Sequence, residues 1–438
     1  MDSDSTYPLV GLLPSRPFKS HEQPSLPPTA PTPANLLRDS PRLLRDSSMA
    51  ATHRVSAVIF DLDGTLLDTE RATRDVLKEF LGTYGEVPDA AKEEKRLGQM
   101  HRESTTGIIA DYGLPITVEE YSEAIYPLYI KRWQRASPLP GVNRLLKHLY
   151  KNGVPLALAS NSIRRNIDHK ILKLGELKDC FSVVLGGDQV PHGKPCPDIF
   201  LEAAKRLGVN PSSCLVIEDS LVGVQAAKAS GAKVVAVPSL QSQRHCYSIA
   251  DLILYSLLDF HPELWGLPPF EDRIQGALAM EPLLSNAQIG DAVQNNTHTL
   301  IAVFATGECT YDSIPDQISG IFFGWAKSET YGVFKAVVST GWDLSPGKFE
   351  RVMHICFLDS HNKAKTEDSL ELLLIGYIRK LQSSENISQA MSITDEDQAT
   401  ARDALDLPAF CEYAKTRGAL DLPALPEYAE PRNGLLLA

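Results

Sequence analysis

The run Val58-Ile59-Phe60-Asp61-Leu62-Asp63-Gly64-Thr65 constrains this chain more than any other, because an apolar strand ends abruptly in two carboxylates one residue apart, then glycine and threonine. In a parallel sheet, ligands bind in the crevice outside the carboxyl ends of the strands, so acids at a strand tip lie where substrate can reach them. Asp61 and Asp63 are separated by one residue of extended chain, and a turn at Gly64 lets the loop wrap around one ion. The pattern reads as a phosphate-attacking site. Asp-x-Asp-Gly also opens calcium loops, but an EF-hand needs further alternating acids, a closing Glu and a preceding helix. Here an apolar strand precedes Asp61.

Three later segments add to this reading. Pro155-Leu156-Ala157-Leu158-Ala159-Ser160-Asn161-Ser162 is a second apolar strand with a polar tip, and the Ser160 hydroxyl and Asn161 amide can hold phosphate oxygens without adding charge. Gly193-Lys194-Pro195-Cys196-Pro197-Asp198 sets one lysine in a loop stiffened by two prolines, which keeps an ammonium aimed at one point. Cys214-Leu215-Val216-Ile217-Glu218-Asp219-Ser220 is a third apolar strand, ending in acids suited to a hard cation. Each has a bland alternative: a helix cap, a solvated lysine, a helix start. Their order decides between the readings.

Aspartate pair, hydroxyl tip, lysine loop and acidic tip, in that order, resemble the four motifs of the haloacid dehalogenase superfamily of phosphohydrolases. The resemblance implies a Rossmann-like parallel sheet with a helical cap. It makes Asp61 the nucleophile that forms an aspartyl-phosphate and Asp63 the acid and base, its pKa raised by Asp61 and Asp219 and lowered by the cation. It puts Mg²⁺ on Asp61, Asp219 and the Asp63 carbonyl, with Glu218 assisting directly or through water. Lys194 and Ser160 would stabilise the transferring oxygens, with Asn161 beside the bound group.

Between the first two strands, residues from about 70 to 139 carry helical spacing, such as Val76, Leu77, Phe80 and Leu81 on one face. In the superfamily such an insert closes over the site and selects the leaving group. Gly98-Gln99-Met100-His101-Arg102-Glu103 are then candidates for substrate contact, although His101 and Arg102 also read as solvated helix residues.

With 438 residues, of which 43% are hydrophobic, two folded domains are expected. A formal charge of -12 argues against nonspecific nucleic-acid binding and fits a small anionic substrate held in a locally positive site. No apolar run approaches bilayer length, and Leu372-Leu373-Leu374-Ile375-Gly376-Tyr377-Ile378 is flanked by Glu371 and Arg379, so no membrane span is expected. Seven cysteines without a Cys-x-x-Cys pair give neither a disulfide framework nor a zinc site, which points to a reducing compartment. Residues 1–53 are rich in proline, serine and threonine and repeat Leu-Leu-Arg-Asp-Ser at Leu36 and Leu43. A disordered tail is expected there. Asp2 and Asp4 count against a transit peptide, which favours the cytoplasm over a plastid, and Met49 resembles an internal start.

After Leu267-Pro268-Pro269-Phe270 the organisation changes. Residues 320–326, 334–339 and 370–378 read as strands, with a closing helix capped near Thr394 and running to about Leu405. A small antiparallel β-barrel is expected. Domains are therefore placed at 54–268 and 270–430. Gly320 to Ala326, Gly341-Trp342, Gly376-Tyr377-Ile378-Arg379 and Ala404-Leu405-Asp406-Leu407-Pro408 resemble riboflavin kinases. A phosphatase joined to such a domain is the layout of plant bifunctional flavin enzymes, and it implies FMN as substrate. A sugar or nucleoside phosphate, with the barrel a noncatalytic flavin-binding module, is the alternative, as is retention of both activities.

The kinase resemblance has gaps. That family's Pro-Thr-Ala-Asn flap has no counterpart between 273 and 320, and Asp343-Leu344-Ser345-Pro346 replaces its Asn-Pro turn. Its catalytic glutamate aligns with His354, leaving Glu350 as the nearest acid. A degenerate kinase-like domain is expected. The chain ends with Ala404-Leu405-Asp406-Leu407-Pro408 repeated at Ala419-Leu420-Asp421-Leu422-Pro423, too few copies for a solenoid.

Overall fold

Six short strands, β1 (Ala57–Phe60), β2 (Leu156–Ser160), β3 (Val183–Gly186), β4 (Cys214–Glu218), β5 (Lys233–Ala236) and β6 (Leu252–Ile253), form one sheet in the order β3-β2-β1-β4-β5-β6. Every pairing is parallel. The computed structural model describes residues 54–94, 96, 101–239, 241–273, 276–289, 299–303, 314–328, 332–343, 350–358, 369–382 and 387–415. The tail, Gly98 to Met100, the 344–346 turn and the second terminal repeat lie outside them.

Sequence explains the sheet. Val58, Phe60, Leu156, Leu158, Leu215 and Ile217 pack into a cluster on one face. Ala57, Ile59, Ala157, Ala159, Val216 and Val234 pack into another on the opposite face. Strands buried on both faces must be apolar throughout, which is why these runs lack alternation. The chain runs outward from β1 to β2 and β3, then returns to β4 on the other side of β1. That reversal opens a crevice at the carboxyl ends of β1 and β4, where Asp61, Asp63, Glu218 and Asp219 emerge.

Among the described residues, α1 (Thr69–Thr73), α2 (Val76–Gly82), α3 (Ala90–Glu94), α4 (His101–Asp111) and α5 (Val118–Trp133) follow β1 as an insert, ahead of the helix Val142–Lys151 that leads into β2. α2, α4 and α5 share a core of their own, including Val76, Phe80, Ile108, Tyr121 and Ile125. A capping box between Thr117 and Glu120 starts α5. At its other end Arg132 binds Asp75 and Glu79 at 2.9 and 2.6 Å, tying α5 to α2.

Later in the chain, β7 (Leu278–Ile289), β8 (Thr299–Val303), β9 (Gly320–Ser328), β10 (Gly332–Asp343), β11 (Glu350–Phe357) and β12 (Ser369–Arg379) close a barrel in the order β10-β11-β8-β7-β12-β9. Three of these six were visible in the sequence. β7 was missed because Glu281 and Pro282 interrupt its pattern; they fall where pairing with β12 slips between Leu374 and Gly376, an irregularity that tolerates proline. One set of strand residues, including Phe322, Val338, Ile355 and Leu372, forms a core. Another set, including Ile321, Phe323 and Ile375, packs against Ala401, Ala404 and Leu405 of the helix Asp395–Leu405, which Thr394 caps as expected.

The barrel is docked on the sheet domain. Arg144 binds Asp272 through two hydrogen bonds of 2.6 and 2.7 Å. Glu281 accepts from the backbone of Gly141 and Asn143, at the start of the helix Val142–Lys151. Tyr377 donates to Asp259. Among the described residues no helix is long and apolar enough to cross a membrane.

Candidate active site

Three strand tips and the lysine loop bring Asp61, Asp63, Ser160, Asn161, Lys194 and Asp219 to one cavity of about 500 Å³. Lys194 is a buried cation there. Its ammonium donates to Asp61 at 2.5 Å and to Glu218 at 2.6 Å. Burial works to lower the Lys194 pKa, but those two carboxylates outweigh it and hold the value above the ordinary lysine range. Burial pushes Asp61 up to about 7, against the pull of Lys194. Asp219 is also raised well above the usual carboxylate value, first by burial and then by Glu70, Glu218 and Asp61.

Glu218 is fully buried and its carboxylate is already engaged. One oxygen takes Lys194, and the other accepts from the Ser220 backbone and hydroxyl, both at 2.9 Å. It therefore orients the lysine. A Cβ at Gly223 would lie 1.7 Å from Glu218 Oε1, so only glycine leaves room for this carboxylate. Asn161 is similarly occupied: its Oδ1 accepts from the Lys194 backbone at 2.9 Å, and its Nδ2 donates to the Lys194 carbonyl at 3.3 Å. The amide expected beside a bound group thus also fixes the lysine loop.

Asp63 departs most from expectation. Lys170, at the end of the helix Arg164–Lys170, donates to both Asp63 oxygens, at 2.7 and 2.9 Å. Thr69 at 2.6 Å and Ser162 at 2.8 Å add hydrogen bonds, with Ser160 at 3.3 Å. Burial acts to raise the Asp63 pKa, but Lys170 and these donors bring it below the usual carboxylate value. Neighbouring carboxylates were expected to raise it; an unforeseen lysine prevails. Sequence reasoning missed Lys170 because Arg164-Arg165-Asn166-Ile167-Asp168-His169-Lys170 is crowded with charge and nothing local marks its last residue.

The cap supplies the opposite wall, with Ile125, Tyr126, Tyr129 and Trp133 of α5 lining the cavity. Tyr129 and Trp133 stack at 5.6 Å between ring centroids, with 16° between planes. Of the cap residues singled out from sequence, Arg102 is exposed and pairs loosely with Glu119 at 3.6 Å, and neither it nor Glu103 lines this cavity.

The donor set suits a hard cation. Asp61 and Asp219 are buried carboxylates whose like charges oppose one another, and a divalent ion relieves such repulsion. Among the described residues no three or more His, Cys, Asp or Glu side chains cluster as metal ligands. Mg²⁺ requires fewer, since it is commonly held by one or two carboxylates with water and substrate phosphate completing its shell.

Buried acids and a lysine at the switch point of a parallel sheet, under a helical cap, define a phosphohydrolase site. Residues 55–231 match the haloacid dehalogenase-like hydrolases, and the chain belongs to that family. It is a phosphatase with a second, β-barrel domain fused behind it. The chain is similar to the bifunctional riboflavin kinase/FMN phosphatase of Arabidopsis thaliana, at 42% identity over 361 residues, spanning 82% of this chain and 95% of the relative. It is also similar to (DL)-glycerol-3-phosphatase 1, mitochondrial, of the same plant, at 36% identity over 225 residues, half of this chain and 76% of that one. The crystal structure of CbbY from Rhodobacter sphaeroides in complex with phosphate matches 47% of this chain and 96% of its own, with 25% identity and a TM-score of 0.44.

Proposed function

We propose that this phosphatase hydrolyses FMN to riboflavin and phosphate through an aspartyl-phosphate on Asp61, with Mg²⁺ as cofactor. The observation that carries the substrate reading is the aromatic wall of Tyr126, Tyr129 and Trp133 on the same cavity as Asp61 and Lys194. A volume of about 500 Å³ suits a small ligand, and stacked aromatic rings suit a planar one. The relative aligned along most of this chain carries FMN phosphatase in its name, whereas the glycerol-3-phosphatase matches half of it. Residues 54–268, with the cap at about 70–139, are taken as the catalytic domain, residues 270–430 as the barrel domain, and the cytoplasm as the compartment.

In this reading a carboxylate oxygen of Asp61 attacks phosphorus in line, and the bond from phosphorus to the ribityl oxygen breaks. Asp63, in the minor protonated form that its lowered pKa leaves, delivers a proton to that leaving oxygen. Asp63 then takes a proton from water as the water oxygen attacks the acyl phosphate, releasing phosphate and restoring Asp61. Lys194 and Ser160 offset charge on the equatorial oxygens, and Glu218 and Asn161 keep Lys194 in place. Asp61, Asp219 and the Asp63 carbonyl would hold Mg²⁺, which when bound neutralises charge on the transferring group. The test is phosphate release from FMN by the wild type and by Asp61→Asn. Release by the wild type alone is expected; equal rates overturn the assignment.

A further inference from the structure

We propose that Gln317, in the barrel domain, is a positioning residue for the phosphatase loop. Its side-chain Nε2 donates to the Gly64 carbonyl at 2.5 Å, across 253 residues of sequence. That carbonyl belongs to the peptide joining Gly64 to Thr65, at the centre of the loop that carries Asp61 and Asp63.

Both ends of the contact are held. On the barrel side, Ile314 and Ile318 sit in the barrel core and anchor the strap that precedes β9. Arg351 donates to the carbonyls of Ile314, Pro315 and Ile318, and Trp342 Nε1 donates to the Asp316 carbonyl at 3.0 Å. Three backbone oxygens gripped by one guanidinium fix the strap in one conformation. Gln317 is buried, with 6% of its surface exposed, so water cannot readily replace its acceptor.

On the phosphatase side, Gly64 has a φ of +77°, and a Cβ there would lie 2.3 Å from Asp219 Oδ2. Its amide donates to the Leu67 carbonyl at 2.9 Å, and the Thr65 hydroxyl donates to Asp219 at 3.1 Å. The Asp63–Gly64 peptide is thus tied to Leu67, and the Gly64–Thr65 peptide is confined between Asp219 and Gln317. Without the amide, the glycine's conformational freedom lets that peptide rotate, displacing Asp63 on one side and Thr65 on the other. A barrel without kinase chemistry would still be required, as the brace that fixes the reacting loop.

The experiment uses full-length protein carrying Gln317→Met, which keeps the side-chain length and loses the donor, and p-nitrophenyl phosphate, which makes the outcome independent of FMN specificity. The expected result is a kcat lowered about fivefold, as for loss of one hydrogen bond, with KM within about twofold. Amide hydrogen exchange should quicken in the peptide covering 61–69 and stay unchanged in strand 320–328. Should the Met variant fail to fold, Gln317→Leu carries the same test. Wild-type kcat with unchanged exchange at 61–69 overturns the proposal, and so does faster exchange in both segments, which marks a merely structural contact.

Discussion

Lys170 holds both carboxylate oxygens of Asp63, at 2.7 and 2.9 Å, while its ammonium lies 4.8 Å from the centre of the Trp133 ring. The helix following β2 thus reaches the aspartate pair and the aromatic wall at once. Removing the ammonium by Lys170→Met takes away the interaction that offsets burial, so the Asp63 pKa must rise. Carbon-13 titration of Asp63 should show ionisation shifted to higher pH in the variant, with kcat reduced about tenfold. An unmoved titration would show that Lys170 does not govern this carboxyl.

Gly223→Ala separates packing from helix propensity. Alanine within a helix is favoured over glycine by about 1 kcal/mol, so propensity alone predicts a more stable protein. The added methyl would instead lie 1.7 Å from Glu218 Oε1, in the helix Leu221–Ala229. Displacing Glu218 removes one of the two carboxylates that hold Lys194. The variant should melt at a lower temperature and lose at least about tenfold in kcat, the scale of a charge-assisted hydrogen bond. A raised Tm with full activity would contradict the packing argument.

Tyr129→Ala tests the flat wall. Aromatic contacts contribute about 0.5–1.5 kcal/mol beyond area burial, so KM for FMN should rise about fivefold. The inhibition constant of inorganic phosphate, which has no ring to stack, should change less than about twofold. Equal effects on both would place the flavin ring elsewhere.

The barrel is expected to make no FMN from riboflavin and ATP. His354, which aligns with the kinase family's glutamate, lies on β11 opposite Ser339, and burial lowers its pKa. A neutral imidazole there would not do the work of a carboxylate base. Chromatography of riboflavin incubated with Mg²⁺-ATP and the Asp61→Asn variant, which on the proposed mechanism leaves the product intact, checks this: an FMN peak would establish the second activity.

The strand tips were legible because their information is local: an apolar run buried on both faces, then Asp61, Ser160 or Glu218-Asp219, can be read without knowing its neighbours. Barrel strands were harder. β11, Glu350–Phe357, begins with two charged residues and includes His354, and it forms by pairing with β8 and β10 more than by its own pattern. Lys170 and Gln317 were invisible for another reason. They lie 107 and 253 residues from Asp63 and Gly64, the residues they contact, and such polar contacts leave no periodic trace.

Borohydride reduction of protein quenched during FMN turnover, followed by peptide mass spectrometry, tests the central claim most directly. An acyl phosphate on Asp61 is reduced to homoserine, so the account predicts homoserine at position 61 and aspartate at position 63. An unmodified Asp61 under conditions where phosphate is being released would contradict it.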